Sequence, residues 1–284
     1  MDFFHLDLNE SQKRQHIDAV AVFDALEQAQ MEEKTVRGTM FWRTLAGRRY
    51  LIRQTTTGGQ TSLGGETPEN ILMHERFQKR KQAVESRVAS LKTAMTEQQR
   101  MNRALRVGRA PAVVVDTLNA LAAANLQRHF LVVGTHAMIA YESAAGVRIQ
   151  QAATATRDID LLFDTRQRIR FFTQMDKLDK SLLAVLQKAD KTFERQEGQL
   201  YTAVNDKGFE VDIIRRVAKD DDPHPLRMSG DENDFWAVQV RTGQALIDAR
   251  RFDQVIVSTS GHMARMQTIH PLDFARVKRT LAAM

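Results

Sequence analysis

Arg157-Asp158-Ile159-Asp160-Leu161-Leu162-Phe163 is the stretch that decides the fold. Alternate side chains of a strand stand on opposite faces, so Asp158 and Asp160 share one face with Leu162, while Ile159, Leu161 and Phe163 form the other. Two residues of strand set the carboxylates about 7 Å apart. Unpaired charges held against apolar neighbours cost several kcal/mol each, and two like charges cost more. A cation must offset this, and strand alternation turns Arg157 to the other face. A hard divalent ion such as Mg²⁺, which takes carboxylate oxygens, suits the pair.

A second strand reads the same way. In Gly208-Phe209-Glu210-Val211-Asp212-Ile213-Ile214, Phe209, Val211 and Ile213 form the buried face, and Glu210 and Asp212 project from the other. If the two strands are neighbours, Asp212 completes a triad with Asp158 and Asp160, although it lies 52 positions after Asp160. Three carboxylates around two ions about 3.5–4 Å apart is the layout of metal-assisted phosphoryl chemistry. Upstream, Leu131-Val132-Val133-Gly134-Thr135-His136-Ala137 passes from strand through glycine into helix. Gly134 lets a phosphate approach the backbone. Thr135 supplies a hydroxyl and an N-cap, and the helix start favours an anion. Neither a P-loop nor a dinucleotide fingerprint occurs; the Gly-rich run at 55–65 reads as a flexible linker.

An apolar strand ending in glycine, a helix, a strand bearing Asp-x-Asp and a later strand with one Asp together resemble the DNA polymerase beta-like nucleotidyltransferase superfamily. Residues 134–142 and 156–164 look most like bacterial stand-alone members related to AbiEii-type abortive-infection toxins. The resemblance covers about residues 113–212. It extends to His270-Pro271-Leu272-Asp273-Phe274-Ala275-Arg276-Val277-Lys278, similar to a closing helix of such proteins, and more weakly to 37–43. Two departures are Thr135, where Gly or Ser is usual, and the 24 positions from Gly134 to Asp158, which make 144–156 a loop beside the site.

The resemblance implies an α+β nucleotidyltransferase fold, a mixed sheet flanked by helices. It implies transfer of a nucleoside monophosphate from an NTP such as ATP to an acceptor hydroxyl, with release of pyrophosphate. Asp158, Asp160 and Asp212 would be the catalytic and metal-binding residues of a two-ion Mg²⁺ site in which Mn²⁺ can substitute. Gly134 and Thr135 would bind the triphosphate, Asp212 or Glu210 would be the base, and Arg148, Arg166 or Arg215 would neutralise charge. RNA or tRNA is an expected acceptor and a small antitoxin an expected partner. The alternatives are a non-catalytic RNA- or protein-binding module and, less in keeping with a basic chain, an antibiotic-modifying enzyme.

The 284 residues are 43% apolar and 27% charged, which excludes collagen-like, coiled-coil-only and wholly disordered chains. No run approaches the roughly 20 apolar residues of a membrane span. The N-terminus does not read as a secretory leader, and the absence of cysteine removes disulfides, thiolate metal sites and Cys nucleophiles, so a cytoplasmic location is expected. Within a net charge of +6, residues 76–109 hold ten Lys or Arg against two Glu. Such a run is either a solvated helix face or a footprint for RNA phosphates.

The chain is expected to divide into 1–107, an N-terminal helix, hairpin and long basic helix, and 108–284, the catalytic domain. Ile17, Val20, Phe23 and Leu26 predict a helical stripe over 11–31, and 40–45 with 48–53 a hairpin turning at Ala46-Gly47. Thr67-Pro68 starts a helix to about 107, with Val84, Val88, Leu91 and Met95 as its seam. Steps of four and three from Phe171 to Ala189 predict one helix, followed by strands at 192–197, 199–205 and 209–215. The tail from Trp236 predicts one or two strands, notably 254–258, and a helix from Pro271 burying Phe274, Val277 and Leu281. His136 reads as a solvent-facing helix-start residue. Trp42 and Trp236 read as packing residues, and Asp220-Asp221-Asp222 as a solvated turn and the main rival metal site.

Overall fold

A computed structural model describes residues 5–149, 156–219 and 222–282. It forms two compact units, residues 15–101 and residues 1–14 with 102–284. The chain opens with β1 (His5–Asp7) and α1 (Glu10–Thr35). Asn9 and Gln12 cap α1 reciprocally, each side chain accepting from the other's backbone N–H at 2.9 and 3.1 Å.

In the unit of residues 15–101, α1 buries the expected stripe only in part: Val20 and Phe23 are half-buried and Leu26 packs against the core there. Ile17 is 66% exposed, and the buried positions are Gln15, Ala19 and Ala29. Alanines give a weak hydrophobic signal, yet they let another helix approach closely. Ala29 packs with Val36, Val84 and Val88, the last two from α2 (Pro68–Ala104). The hairpin is present as β2 (Thr39–Leu45) and β3 (Arg48–Gln54), with Ala46 and Gly47 both at positive φ, the turn that matches strand twist. The expected linker at 55–65 is corrected: β4 (Gln60–Gly65) pairs antiparallel with β3 and completes a three-stranded sheet. Its glycines hide the strand pattern, Gly64 standing at φ +116° beside a register shift. The Thr67 hydroxyl caps α2 by accepting from the Asn70 N–H at 3.3 Å. On its basic face, Lys81 and Arg87 are answered by Glu85 and Glu32.

The larger unit continues with α3 (Ala112–Ala123), β5 (Phe130–Val133), α4 (Ala137–Ala145), β6 (Val147–Ile149), β7 (Asp158–Phe163), α5 (Arg168–Leu178), α6 (Leu182–Leu186), β8 (Glu194–Arg195), β9 (Thr202–Val204) and β10 (Glu210–Arg216). It ends with β11 (Leu226–Arg227), β12 (Trp236–Val240), α7 (Gly243–Asp248), β13 (Arg251–Val257), β14 (Met263–Ile269) and α8 (Pro271–Ala282). The main sheet is mixed, in the order β11-β12-β10-β7-β5, and β9 joins β10 along its first half and carries β8. β10 lies parallel to both β7 and β12, whereas β5 is antiparallel to β7. This is an α+β architecture.

Strand alternation holds on both central strands. Ile159, Leu161, Phe163, Phe209, Val211 and Ile213 enter one core with α3 and α5 residues. Leu162 and Ile214, on the other face, enter a smaller core with Leu246 and Ile247 of α7, against which Phe274 and Val277 of α8 pack.

Several expected elements differ. The single helix over 171–189 is two, because Asp179 turns left-handed at φ +48° and Ser181 caps α6 through the Ala184 N–H at 3.1 Å. The expected loop at 144–156 begins instead with the end of α4 and with β6 paired to β1; residues 150–155 lie outside those described. α2 stops at Ala104, where Arg106 adopts φ +51°, before the expected 107. The tail strand is a full hairpin of β13 and β14. Leu281 of α8 is 45% exposed, so that helix is only half-buried through Phe274 and Val277.

Candidate active site

β7 and β10 place the acidic residues in register. Asp158 stands across the parallel ladder from Glu210, and Asp160 from Asp212. Adjacent strands lie about 4.8 Å apart, so Asp160 and Asp212 are nearest neighbours on one sheet face, with Asp158 one pleat along. All four are half-buried. Among the described residues, no three His, Asp or Glu side chains close into a ready metal cage; the carboxylates line the face side by side.

Their electrostatics are those of unneutralised neighbours. Burial, and then the charges of Asp158 and Asp212, push the Asp160 carboxyl up to about 6, against the opposing pull of the Lys278 ammonium from α8. Asp212 is raised by burial and by Asp158, while the Thr202 hydroxyl works the other way. That hydroxyl is fully buried on β9 and donates to Asp212 Oδ1 at 2.5 Å.

Gly134 follows β5, which is antiparallel to β7, and so arrives beside Asp160. It sits at φ +69°, and a Cβ added there would lie 2.2 Å from Asp160 Oδ2. The missing side chain makes room for the aspartate itself. Thr135 is half-buried, but it is not the cap of α4: the N-cap position is His136, with no side-chain cap bond, and the Thr135 carbonyl accepts from the Met138 N–H.

His136 is corrected from solvent-facing to 2% exposed. Its ring hydrogen-bonds the Asp158 main chain, lies 3.4 Å from the Thr156 hydroxyl and meets Phe209 edge-on. Burial lowers its pKa, so it serves as a neutral prop under the first aspartate.

The three arginines expected to neutralise charge are engaged elsewhere. Arg148 donates to the Arg106 carbonyl. Arg166 forks onto Asp164 at 2.9 and 2.8 Å. Arg215 is fully buried and alternates with Asp212 and Ile214, which turns it to the opposite sheet face. In the rival acidic run, Asp220 and Asp221 lie outside the described residues, and Asp222 is an ion-pair partner of Arg168 and Arg216.

Sequence reasoning assigned no role to Thr202, His136 or Lys278. Thr202 had a signal, a hydroxyl residue in a strand just before the one bearing Asp212. Lys278 and His136 depend on how α8 and α4 pack, which spacing along the chain does not reveal.

A family model described as nucleotidyltransferase matches residues 112–284, a segment that starts with α3 and contains the whole seven-stranded sheet and its carboxylate face. The chain belongs to this nucleotidyltransferase family. Searches among curated proteins and among solved structures find no match. Among the described residues, no helix is long and apolar enough to cross a membrane.

Proposed function

We propose that the chain is a Mg²⁺-dependent nucleotidyltransferase that moves a nucleoside monophosphate from an NTP to an acceptor hydroxyl. The observation that carries this reading is the register of Asp160 with Asp212 across β7 and β10, beside Gly134 and inside the family segment. The donor set suits a hard divalent cation: three carboxylates on one face, two of them with pKa values raised by burial and then by neighbouring carboxylates. Asp158, Asp160 and Asp212 would hold such ions. Bound there, they supply positive charge for the triphosphate and ease loss of the acceptor proton.

The chain's own residues do the rest. The acceptor oxygen forms a bond to the α-phosphorus, and the bond from that phosphorus to the α,β-bridging oxygen breaks, releasing pyrophosphate. The acceptor proton goes to Asp212, or to Glu210 two residues before it. Thr202 holds one oxygen of Asp212 and leaves the other for that task. Gly134 and Thr135 meet the triphosphate at the start of α4, and Lys278 adds charge from α8.

The finer assignment is to the AbiEii-type branch, supported by the motif at 156–164. With it come ATP as a usable NTP, RNA or tRNA as acceptor, the basic stretch 76–109 as an RNA contact, a cytoplasmic location and a small antitoxin encoded alongside. Incubation with each labelled NTP, Mg²⁺ and a cell extract tests the function. Label transferred by the parent and lost in Asp160→Ala supports it. RNA binding without transfer, unchanged in that variant, identifies a binding module instead.

A further inference from the structure

β7 and β10 run parallel, so the segments that follow them emerge together, at the end of the sheet away from Asp158 and Glu210. There Arg166, Arg168 and Arg170, with Thr165, Ile169 and Asp222, line a cavity of about 520 Å³. Two of the carboxylates at this end are each shared between two guanidiniums, and a third, Asp248, lies 3.9 Å from Arg166. Asp164 accepts from Arg166 and from Arg251 at 2.6 Å. Asp222 pairs with Arg168 at 3.3 Å and with Arg216 at 2.6 Å. Arg170 is exposed and joins no ion pair among the described residues.

Beside them Arg215 is fully buried. Its Nη2 lies 2.9 Å from His224 Nδ1, but Nε and Nη1 have no hydrogen-bond partner among the described residues. Asp222 and Arg168, both on the cavity wall, are among the charges acting on it. Buried donors are nearly always paired, so Arg215, with two nitrogens unmatched among the described residues, adds one more positive charge beside this cavity. Ile169, between two of the cavity arginines, is 80% exposed.

We propose that this cavity grips the phosphodiester backbone of a single-stranded nucleic-acid acceptor. Arg166, Arg168 and Arg170 meet phosphates, and Ile169 lies against a base or ribose. The proposal rests on the transfer reading above and names its acceptor class. Guanidinium forks match phosphate oxygens, and an apolar side chain held out among them suits a nucleoside rather than a free inorganic anion. Arg216, which bonds the Thr165 hydroxyl at 2.9 Å, shares a sheet face with Asp212 four residues earlier. Four residues of strand span about 13 Å, a distance that a short single-stranded end covers.

The test uses the full chain and fluorescein-labelled 12-mers of single-stranded RNA and DNA, read by anisotropy over a salt series. The charge reversal R168E/R170E is expected to weaken binding at least tenfold and to flatten the logarithmic salt slope by about 1 to 1.5, the value for two single-strand phosphates. The neutral pair R168Q/R170Q, checked for native circular dichroism, is expected to act in the same direction. R168K/R170K is expected to keep the slope. Arginine-dependent binding of both oligomers supports backbone recognition, and of RNA alone adds the ribose. No binding by the parent, or parental affinity and slope in both R168E/R170E and R168Q/R170Q, overturns the proposal. Transfer to RNA with an unchanged KM for RNA in R168E/R170E removes this site but leaves the enzyme standing. Arginine-dependent binding without transfer does the reverse.

Discussion

Asp212 stands directly across the parallel β7–β10 ladder from Asp160, although 52 positions separate them in the chain. Two half-buried carboxylates at strand spacing repel each other, and the protein tolerates this through two raised pKa values, one hydroxyl and one ammonium. A face so arranged is poorly stable without a cation and well made for one.

Removing one charge from this face should separate activity from stability. Asp160→Asn is expected to lower transfer by about 10²–10³-fold or more, the usual cost of losing a main electrostatic element. It should leave the fold intact and make the metal-free protein more stable at neutral pH. Parallel transfer assays and urea titrations check both; an active or a less stable variant contradicts the electrostatic account.

The pH dependence of metal-free stability follows from the same carboxyl. A folded pKa raised from 3.8 to about 6 contributes stability that is fully present below the unfolded value and lost as pH rises through the folded one. Discounted for partial exposure, the loss is about 1–2 kcal/mol. Urea midpoints should fall between about pH 4 and pH 6.5 in the parent more than in Asp160→Asn. Because cation binding needs the deprotonated carboxylates, millimolar Mg²⁺ should raise the melting temperature more near pH 7.5 than near pH 5.

Gly134→Ala is expected to injure the site more than the fold. The left-handed backbone at φ +69° costs about 1–2 kcal/mol with any side chain, and the new Cβ would force the Asp160 carboxylate out of its place. Transfer should fall by at least about 100-fold. A variant of parental activity shows that Asp160 has room to turn.

Thr202→Val keeps the shape of a fully buried residue and removes the donor to Asp212. A fall of about 10–100-fold in kcat, with little change in KM for the NTP, is expected, as for loss of an orienting partner. Thr202→Ser should restore most of it. Equal loss in both variants indicates a packing role only.

How much of this was readable along the chain follows from the range of the forces involved. The faces of 158–163 and 209–214, the hairpin at Ala46-Gly47 and the Thr67 cap are set by neighbouring residues, and all stand in the structure as read. The Ala-lined face of α1, the Gly-bearing β4 and the break at Asp179 were missed. Their stability comes from pairing and close approach to distant segments, for which local hydrophobicity is a poor signal.

By itself, then, the order of residues determined which side chains share a face of each strand, and so that Asp158 pairs with Asp160 in orientation, and Glu210 with Asp212. The pleat repeats every two residues, and nothing elsewhere in the chain can alter that. Only tertiary structure decided that β10 lies beside β7 in a register setting Asp212 opposite Asp160, that Gly134 yields its space to Asp160, that His136 is buried under Asp158, and that Arg215 turns away. Strand register and burial are settled by which cores can close around them, a property of the whole sheet rather than of any stretch within it.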